Sequence, residues 1–280
     1  LVALSMWAGL AWLALLVGCR GSDVAKSESS AAGVARVVSL APSLTELSFA
    51  LGAGEQLVGA TRYCDYPPEV AGLPRVGGVV DPSFEAIVAL QPSLVLAMEA
   101  ASSAPLFDRL RRAGIPVRTL RMDTLAETFA GVEALGEALG RRERGVAVRA
   151  ELEAGLAALR SAAGVQSRAV VVYGQRPLVV AGPGTFANEL LELVGFRNAA
   201  GEASSQYPTW SIEELVRVAP EVIFDASMDA DAEQMWEKWQ VLPAVANKRV
   251  FRVNPDLLSR PGPRLVLGAA QMAELASQRQ

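Results

Sequence analysis

Side chains able to do acid–base, nucleophilic or metal chemistry are scarce in this chain. Its 280 residues include no histidine. That removes a Ser-His-Asp triad, a Cys-His pair, an HExxH zinc site and imidazole-ligated haem. Two cysteines, Cys19 and Cys64, are too few for a Cys-only zinc site of four ligands. Acid–base work in an enzyme would fall to Asp, Glu, Lys, Tyr or Cys. The expectation is no catalytic residue, no resident metal and no cofactor.

Binding chemistry is better represented. Tyr63, Tyr66, Tyr173, Tyr207 and Trp210 fall in loops or at strand ends. Aromatics so placed suit a broad apolar pocket with polar tips, the plainer alternative being loops that cover a lobe. Trp236 and Trp239 lie in an amphipathic helical stretch and read as packing. Two acidic positions recur. Residues 83–97 read SFEAIVALQPSLVLA and residues 211–225 read SIEELVRVAPEVIFD, an offset of 128 with Ser, Glu and Pro aligned. Each copy reads as a Ser-capped helix, a turn before Pro, then a strand, which points to a structural duplication. Glu85 and Glu213 sit at the second helical position, where the helix dipole favours a carboxylate by about 0.3–1 kcal/mol. Helix stability alone accounts for them. The functional alternative is docking, with one acidic knob per lobe meeting two basic sockets on a two-fold partner.

Two loop motifs follow strands. Ala41–Glu46 contains Ser43 and Glu46 at capping-box spacing. A helix N-terminus at a strand's carboxyl end is where open α/β sheets bind ligands. Gly182–Ala187 matches G-x-G-x-x-A, but the next segment, 198–208, is polar and irregular and lacks the strand and acid of a dinucleotide site. No nucleotide site is expected.

The elements that must position these residues alternate. Apolar runs at 36–40, 56–61, 94–98, 117–120, 169–173, 178–181, 222–226 and 250–253 read as strands, with helical patterns between many of them. This predicts an α/β architecture with parallel strands covered on both faces. From 124 to 163 no strand signal appears. Thr124 and Glu127 form a capping box, and helical spacing follows, either as one long helix or as two abutting ones broken near Gly140. The expected domains are a lobe at 34–123, a connecting helix at 124–163 and a second lobe at 164–280.

The N-terminus reads as an export signal. Residues 3–17 are apolar and uncharged, short for a spanning helix, and lead into Leu16-Val17-Gly18-Cys19. This resembles a bacterial lipoprotein signal, 1–18, with Cys19 as the lipidated residue and a polar tether at 19–33; the alternative is an ordinary signal peptide. Acyl chains on Cys19 would hold the protein on a membrane outside the cytoplasm. Cys64 then has no intramolecular disulfide partner and reads as a buried small hydrophobe. The net charge is −4, so no nucleic-acid partner is expected.

The stretches VVSLAPSLTELSFALGAG, LVGATRYCDYPPEV, VGGVVDPSFEAIVALQPSLVLA, YPTWSIEELVRVAPEVIF and SRPGPRLVLGAAQM resemble the class III substrate-binding proteins of ABC importers, the cobalamin- and ferric-siderophore-binding family, nearest its cobalamin-binding branch. The resemblance implies two α/β lobes joined by a long rigid backbone helix, a ligand cleft between them, and no catalysis. It implies pocket positions at Pro42, Tyr63, Tyr173, Tyr207, Asp256 and Arg260. Glu85 and Glu213 become the glutamates that dock onto permease arginines, with an ATPase behind the permease. Val79 stands where the cobalamin-binding relatives carry a pocket Trp. The function implied is capture of a corrinoid and its delivery to the importer. A ferric siderophore or haem is the alternative ligand, with Arg62, Arg176 and Arg260 as candidate anion contacts. A ligand-sensing or scaffold lipoprotein without transport is the alternative of another class.

Overall fold

The computed structural model describes residues 35–100, 103–160 and 167–277. The apolar leader, Cys19 and the tether lie outside the described residues. In the N-terminal half the order is β1 Val37–Ser39, α1 Pro42–Ala50, β2 Leu57–Ala60, α2 Phe84–Ala89, β3 Leu94–Met98, α3 Ala104–Arg112 and β4 Val117–Leu120. Two helices follow, α4 Leu125–Ala138 and α5 Arg142–Ala158. The C-terminal half runs β5 Ser167–Gln175, β6 Leu178–Val180, α6 Phe186–Leu193, β7 Phe196–Asn198, β8 Thr209–Trp210, α7 Ile212–Val218 and β9 Val222–Asp225. It ends with α8 Ala232–Glu237, α9 Pro243–Ala246, β10 Val250–Arg252, α10 Pro255–Ser259 and α11 Leu265–Ser277.

Branched apolar residues form short strands whose alternate side chains feed opposite faces. Val37 joins the core under α1 and α4, while its neighbour Val38 joins the core under α2 and α3. Ala169 and Val171 pack on one face of the second sheet, Val170 and Val172 on the other. The first sheet is parallel throughout, in the order β2-β1-β3-β4. The second runs β10-β9-β5-β6-β8, with β7 beside the start of β5. Its core is parallel, but β6 and β8 are antiparallel additions. Only Arg176 and Pro177 separate β5 from β6, which is a hairpin and leaves no room for a crossover. The short strands β7 and β8 flank the stretch that looks irregular in sequence; two or three residues carry no readable period.

The 128-residue echo extends into the backbone. Ser83 accepts from Ala86 N at 3.2 Å and Ser211 from Glu214 N at 3.3 Å. Ile87 and Leu215 are both fully buried. Gln91 and Ala219 both take positive φ, 46° and 44°, just before Pro92 and Pro220. β3 and β9 then begin at Leu94 and Val222, in the same register.

Between the sheets, the capping box at Thr124 and Glu127 is complete on both sides. Gly140, at φ +67°, lies in the break between α4 and α5. The second helix folds back alongside the first, so the two do not abut end to end. Arg149 reaches Glu133 at 3.0 Å, and the backbones meet at Gly136 and Gly145. A Cβ on Gly136 would lie 2.9 Å from Gly145 Cα. Phe129 and Val266 each pack against the cores of both lobes, which ties α4 and α11 to both sheets. No helix among the described residues is long and apolar enough to cross a membrane.

Candidate functional site

The segments that follow β2 and β10 meet across the two lobes. Arg260, just after α10, donates to Asp65 at 2.6 Å and Glu46 at 3.1 Å, and reaches Tyr63 O at 3.4 Å. These contacts put the loop after β2, the helix after β1 and the segment after β10 around one cleft. Carboxyl ends of parallel strands are the ligand-binding edge of such sheets.

The C-terminal wall is a cavity of about 570 Å³ lined by Tyr173, Tyr207, Phe186, Arg176, Met228 and Ser259, among others. The rings of Tyr173 and Tyr207 lie 5.9 Å apart at 57°, a tilted aromatic pair. The Tyr173 hydroxyl donates to Leu258 O at 2.7 Å. Burial pushes the Tyr173 phenol well above its ordinary value. Burial first, and the Asp123 carboxylate second, push the Tyr207 phenol up to about 12. Both phenols are therefore neutral, and the wall is an aromatic surface with no phenolate.

The N-terminal wall is more open. Tyr63 is 49% exposed and Val80, on the loop after Gly78, is 88% exposed. Arg62 stacks over Tyr63 at 5.1 Å and pairs with Asp81 at 2.9 Å, tying that loop to the tyrosine. Pro42 begins α1 directly after β1, and its neighbour Ser43 points its hydroxyl at the Met98 sulfur, 3.8 Å away. Tyr66, Tyr207 and Met228 are also exposed.

Asp256 and Arg260 pair with each other at 2.7 Å at the junction of the lobes. The Arg260 side chain is only 10% exposed and is shared among Asp256, Asp65 and Glu46. Arg62 and Arg176 are each matched by an acid, Asp81 and Asp231, the latter at 2.7 Å. The three arginines thus form no free cationic cluster.

Several expectations are corrected by local geometry. Ser43 and Glu46 do not form a capping box. Ala41 is the N-cap because Pro42 occupies the first helical turn, and Ser43 lies inside the helix. Glu46 is instead held by Arg264 Nε at 2.7 Å and by Arg260. The glycines of Gly182–Ala187 serve a neighbouring loop. A Cβ on Gly182 would lie 2.3 Å from Ser205 O, and Gln206 bonds both glycines through its carbonyl and side-chain amide. The 205–206 segment therefore packs directly on these glycines. Cys64 is buried, with its sulfur 3.1 Å from the hydroxyls of Thr45 and Thr61. Trp236 is buried, with its indole N–H donating to Asp225 at 2.6 Å.

Glu85 and Glu213 are both exposed, in the first turns of α2 and α7. They differ in their surroundings. Glu85 has Arg109 at 3.5 Å, and that guanidinium stacks on Phe84. The Glu213 carboxyl is held below its usual range by its own backbone N–H first and the Ser211 hydroxyl second. Sequence reasoning missed Asp65 and Arg264. Their partners lie about 200 residues away, and no local pattern signals such a pairing.

Comparison with known proteins follows the same lines. Residues 37–257 match the periplasmic binding protein family. A Bacillus subtilis protein described as an uncharacterized ABC transporter substrate-binding lipoprotein, YvrC, is 31% identical over 249 residues, 85% of this chain and 79% of that one. The structure of the periplasmic vitamin B12-binding protein BtuF of Vibrio cholerae superimposes with a TM-score of 0.78 at 30% identity, covering 88% of this chain and 99% of that one. The periplasmic heme-binding protein RhuT from Roseiflexus sp. RS-1 gives 0.78 at 26% identity, covering 88% and 99%. The chain belongs to the periplasmic binding protein family and, within it, to the class III substrate-binding proteins of ABC importers, on the BtuF-like side.

Proposed function

We propose that the protein captures a corrinoid outside the cytoplasm and delivers it to an ABC permease while anchored to the membrane through lipid on Cys19. One observation carries the ligand class. Tyr173 and Tyr207 form a neutral aromatic wall, Tyr63 is exposed on the loop that Arg260 ties to the C-terminal lobe, and Arg62, Arg176 and Arg260 are each paired with an acid. Such a site suits a large, largely apolar chelate whose metal is already coordinated. Pro42, Tyr63, Tyr173 and Tyr207 would line it, and Asp256 with Arg260 would form its polar floor. The similarity to vitamin B12-binding BtuF supports the same reading.

Haem or a ferric siderophore is the second reading, favoured by the similarity to RhuT. Val79, where a pocket Trp is expected, leaves the N-terminal rim smaller. An anionic siderophore would find its arginines already paired.

Glu85 and Glu213 would dock on permease arginines, one per lobe. Exposed ion pairs add about 0–1 kcal/mol each and set register and encounter rate more than affinity.

The test is titration of the purified protein with cyanocobalamin, dicyanocobinamide, haemin and a ferric siderophore. Binding of the corrinoids at micromolar or tighter, weakened by Tyr207→Ala and Tyr63→Ala, is the expected result. Preferential binding of an iron chelate would overturn the corrinoid assignment. For docking, Glu85→Arg with Glu213→Arg should abolish uptake while leaving ligand affinity unchanged; unchanged uptake would point to a sensor or scaffold.

A further inference from the structure

Glu46 is a buried carboxylate of the N-terminal lobe whose counter-charges belong to the C-terminal lobe. Its side chain is 1% exposed. Arg264 grips it with two bonds, Nε to Oε2 at 2.7 Å and Nη2 to Oε1 at 2.5 Å, and Arg260 adds a third at 3.1 Å. The Arg264 side chain is only 13% exposed, and its guanidinium lies 4.3 Å from the Tyr66 ring centroid. Arg260 extends the contact to Asp65 and to the Tyr63 carbonyl. One guanidinium pair therefore holds both α1 and the loop that carries Tyr63 and Tyr66. A planar fork on a carboxylate fixes orientation as well as distance. Beside it, Gly262 comes close to Leu47 of α1, where a Cβ would meet Cγ at 3.6 Å.

We propose that Glu46 and Arg264 form an interlobe clasp that sets the aperture of the cleft and fixes the Tyr63–Tyr66 loop. They are positioning residues for capture, acting through Tyr63 and the lobe separation without touching the ligand. This rests on the cleft being the ligand site. Breaking one side of a buried pair leaves an uncompensated charge, so the lobes separate or let water in. Replacing both partners by apolar side chains removes the charge and retains packing, which keeps the fold while abolishing the fork.

The experiment measures the interlobe distance in the ligand-free protein. Spin labels on Arg112→Cys and Lys238→Cys report it, both positions being exposed on opposite lobes while Cys64 is buried. The clasped protein should give one narrow distribution that cyanocobalamin leaves in place. Glu46→Gln, and separately Glu46→Leu with Arg264→Met, should broaden it. If only about a tenth of the molecules then hold the competent aperture, the apparent Kd for cyanocobalamin rises about tenfold. Arg264→Lys should fall between, since it keeps the charge and loses the fork. A distribution unchanged in both Glu46 variants, or already broad in the native protein, overturns the clasp. Broadening in the variants of a protein that binds no corrinoid would support the clasp and overturn the ligand assignment instead.

Discussion

At the carboxyl ends of its central strands the N-terminal lobe buries a neutral cluster, whereas the C-terminal lobe buries a charge. In the first, Thr45 donates to Ser39 at 2.8 Å, and the Cys64 sulfur sits 3.1 Å from both Thr45 and Thr61. In the second, Asp225 is fully buried and accepts from Gln175 and Trp236 at 2.6 Å each, Ser227 N at 2.8 Å and Arg252 at 3.3 Å. A buried carboxylate costs several kcal/mol in lost hydration, which these donors offset only together. The C-terminal lobe meets that cost with its own residues. The N-terminal lobe's buried charge, Glu46, is neutralised by arginines from across the cleft. Two lobes built on one repeated pattern thus differ in where the partners of one buried acid come from: Asp225 is held from within its own lobe, and Glu46 is held by arginines of the other.

The largest effect that could break this contrast is at Asp225. Asp225→Ala strands the Arg252 charge and the Trp236 and Gln175 donors, and should cost about 3–5 kcal/mol in equilibrium denaturation. A loss below ~1 kcal/mol would remove the basis of the comparison. Next is the joint between the lobes. Gly136→Val drives a side chain into the Gly145 backbone and should cost about 1–3 kcal/mol, with both lobes melting in a single transition by calorimetry. Thr45→Val, on the neutral side, removes one hydroxyl from a cluster that can re-pair and should cost about 1 kcal/mol. A cost equal to that of Asp225→Ala would show the neutral cluster to be just as unforgiving. The smallest effect is at Asp65. The Arg260 hydrogen bond holds its carboxyl below the ordinary range. A depressed native value stabilises the fold above the unfolded pKa, about 3.9, and that contribution is lost as pH falls through the native value. Asp65→Asn should therefore lower stability by less than ~1 kcal/mol at neutral pH, since the Asp65 carboxylate is itself exposed and Arg260 keeps Glu46 and Asp256 as partners. The difference should begin to shrink as pH falls below about 4 and should vanish only once the pH is below the native value.

Much of this organisation is legible in the sequence because it is local. The strands at 94–98 and 117–120 are bounded by Pro, Gly or charge and coincide with those observed. The Thr124–Glu127 box and the Ser-x-Glu repeat depend on spacings of a few residues, and both are realised. The cleft aromatics Tyr173 and Tyr207 are brought together as a pocket of loop aromatics requires. What stayed hidden depends on distance along the chain. Glu46 looks like a cap residue because Ser43 precedes it by three; its actual partner is 218 residues away. The glycines at 182 and 184 look like a phosphate cradle because the loop that fills them comes about 20 residues later, in a stretch without pattern.

The contact between Gly136 and Gly145 has a consequence for how such a protein can diverge. Every amino-acid replacement of a glycine adds at least one carbon, and at these two sites that carbon would crowd the opposite helix's backbone. Any single replacement at the joint therefore carries a packing cost. Val79, Val80 and Met228 are exposed, so a change of side chain there disturbs less packing. Exposed positions of this kind can change at little cost to the fold, whereas a change at the α4–α5 contact is felt by both lobes that those helices join.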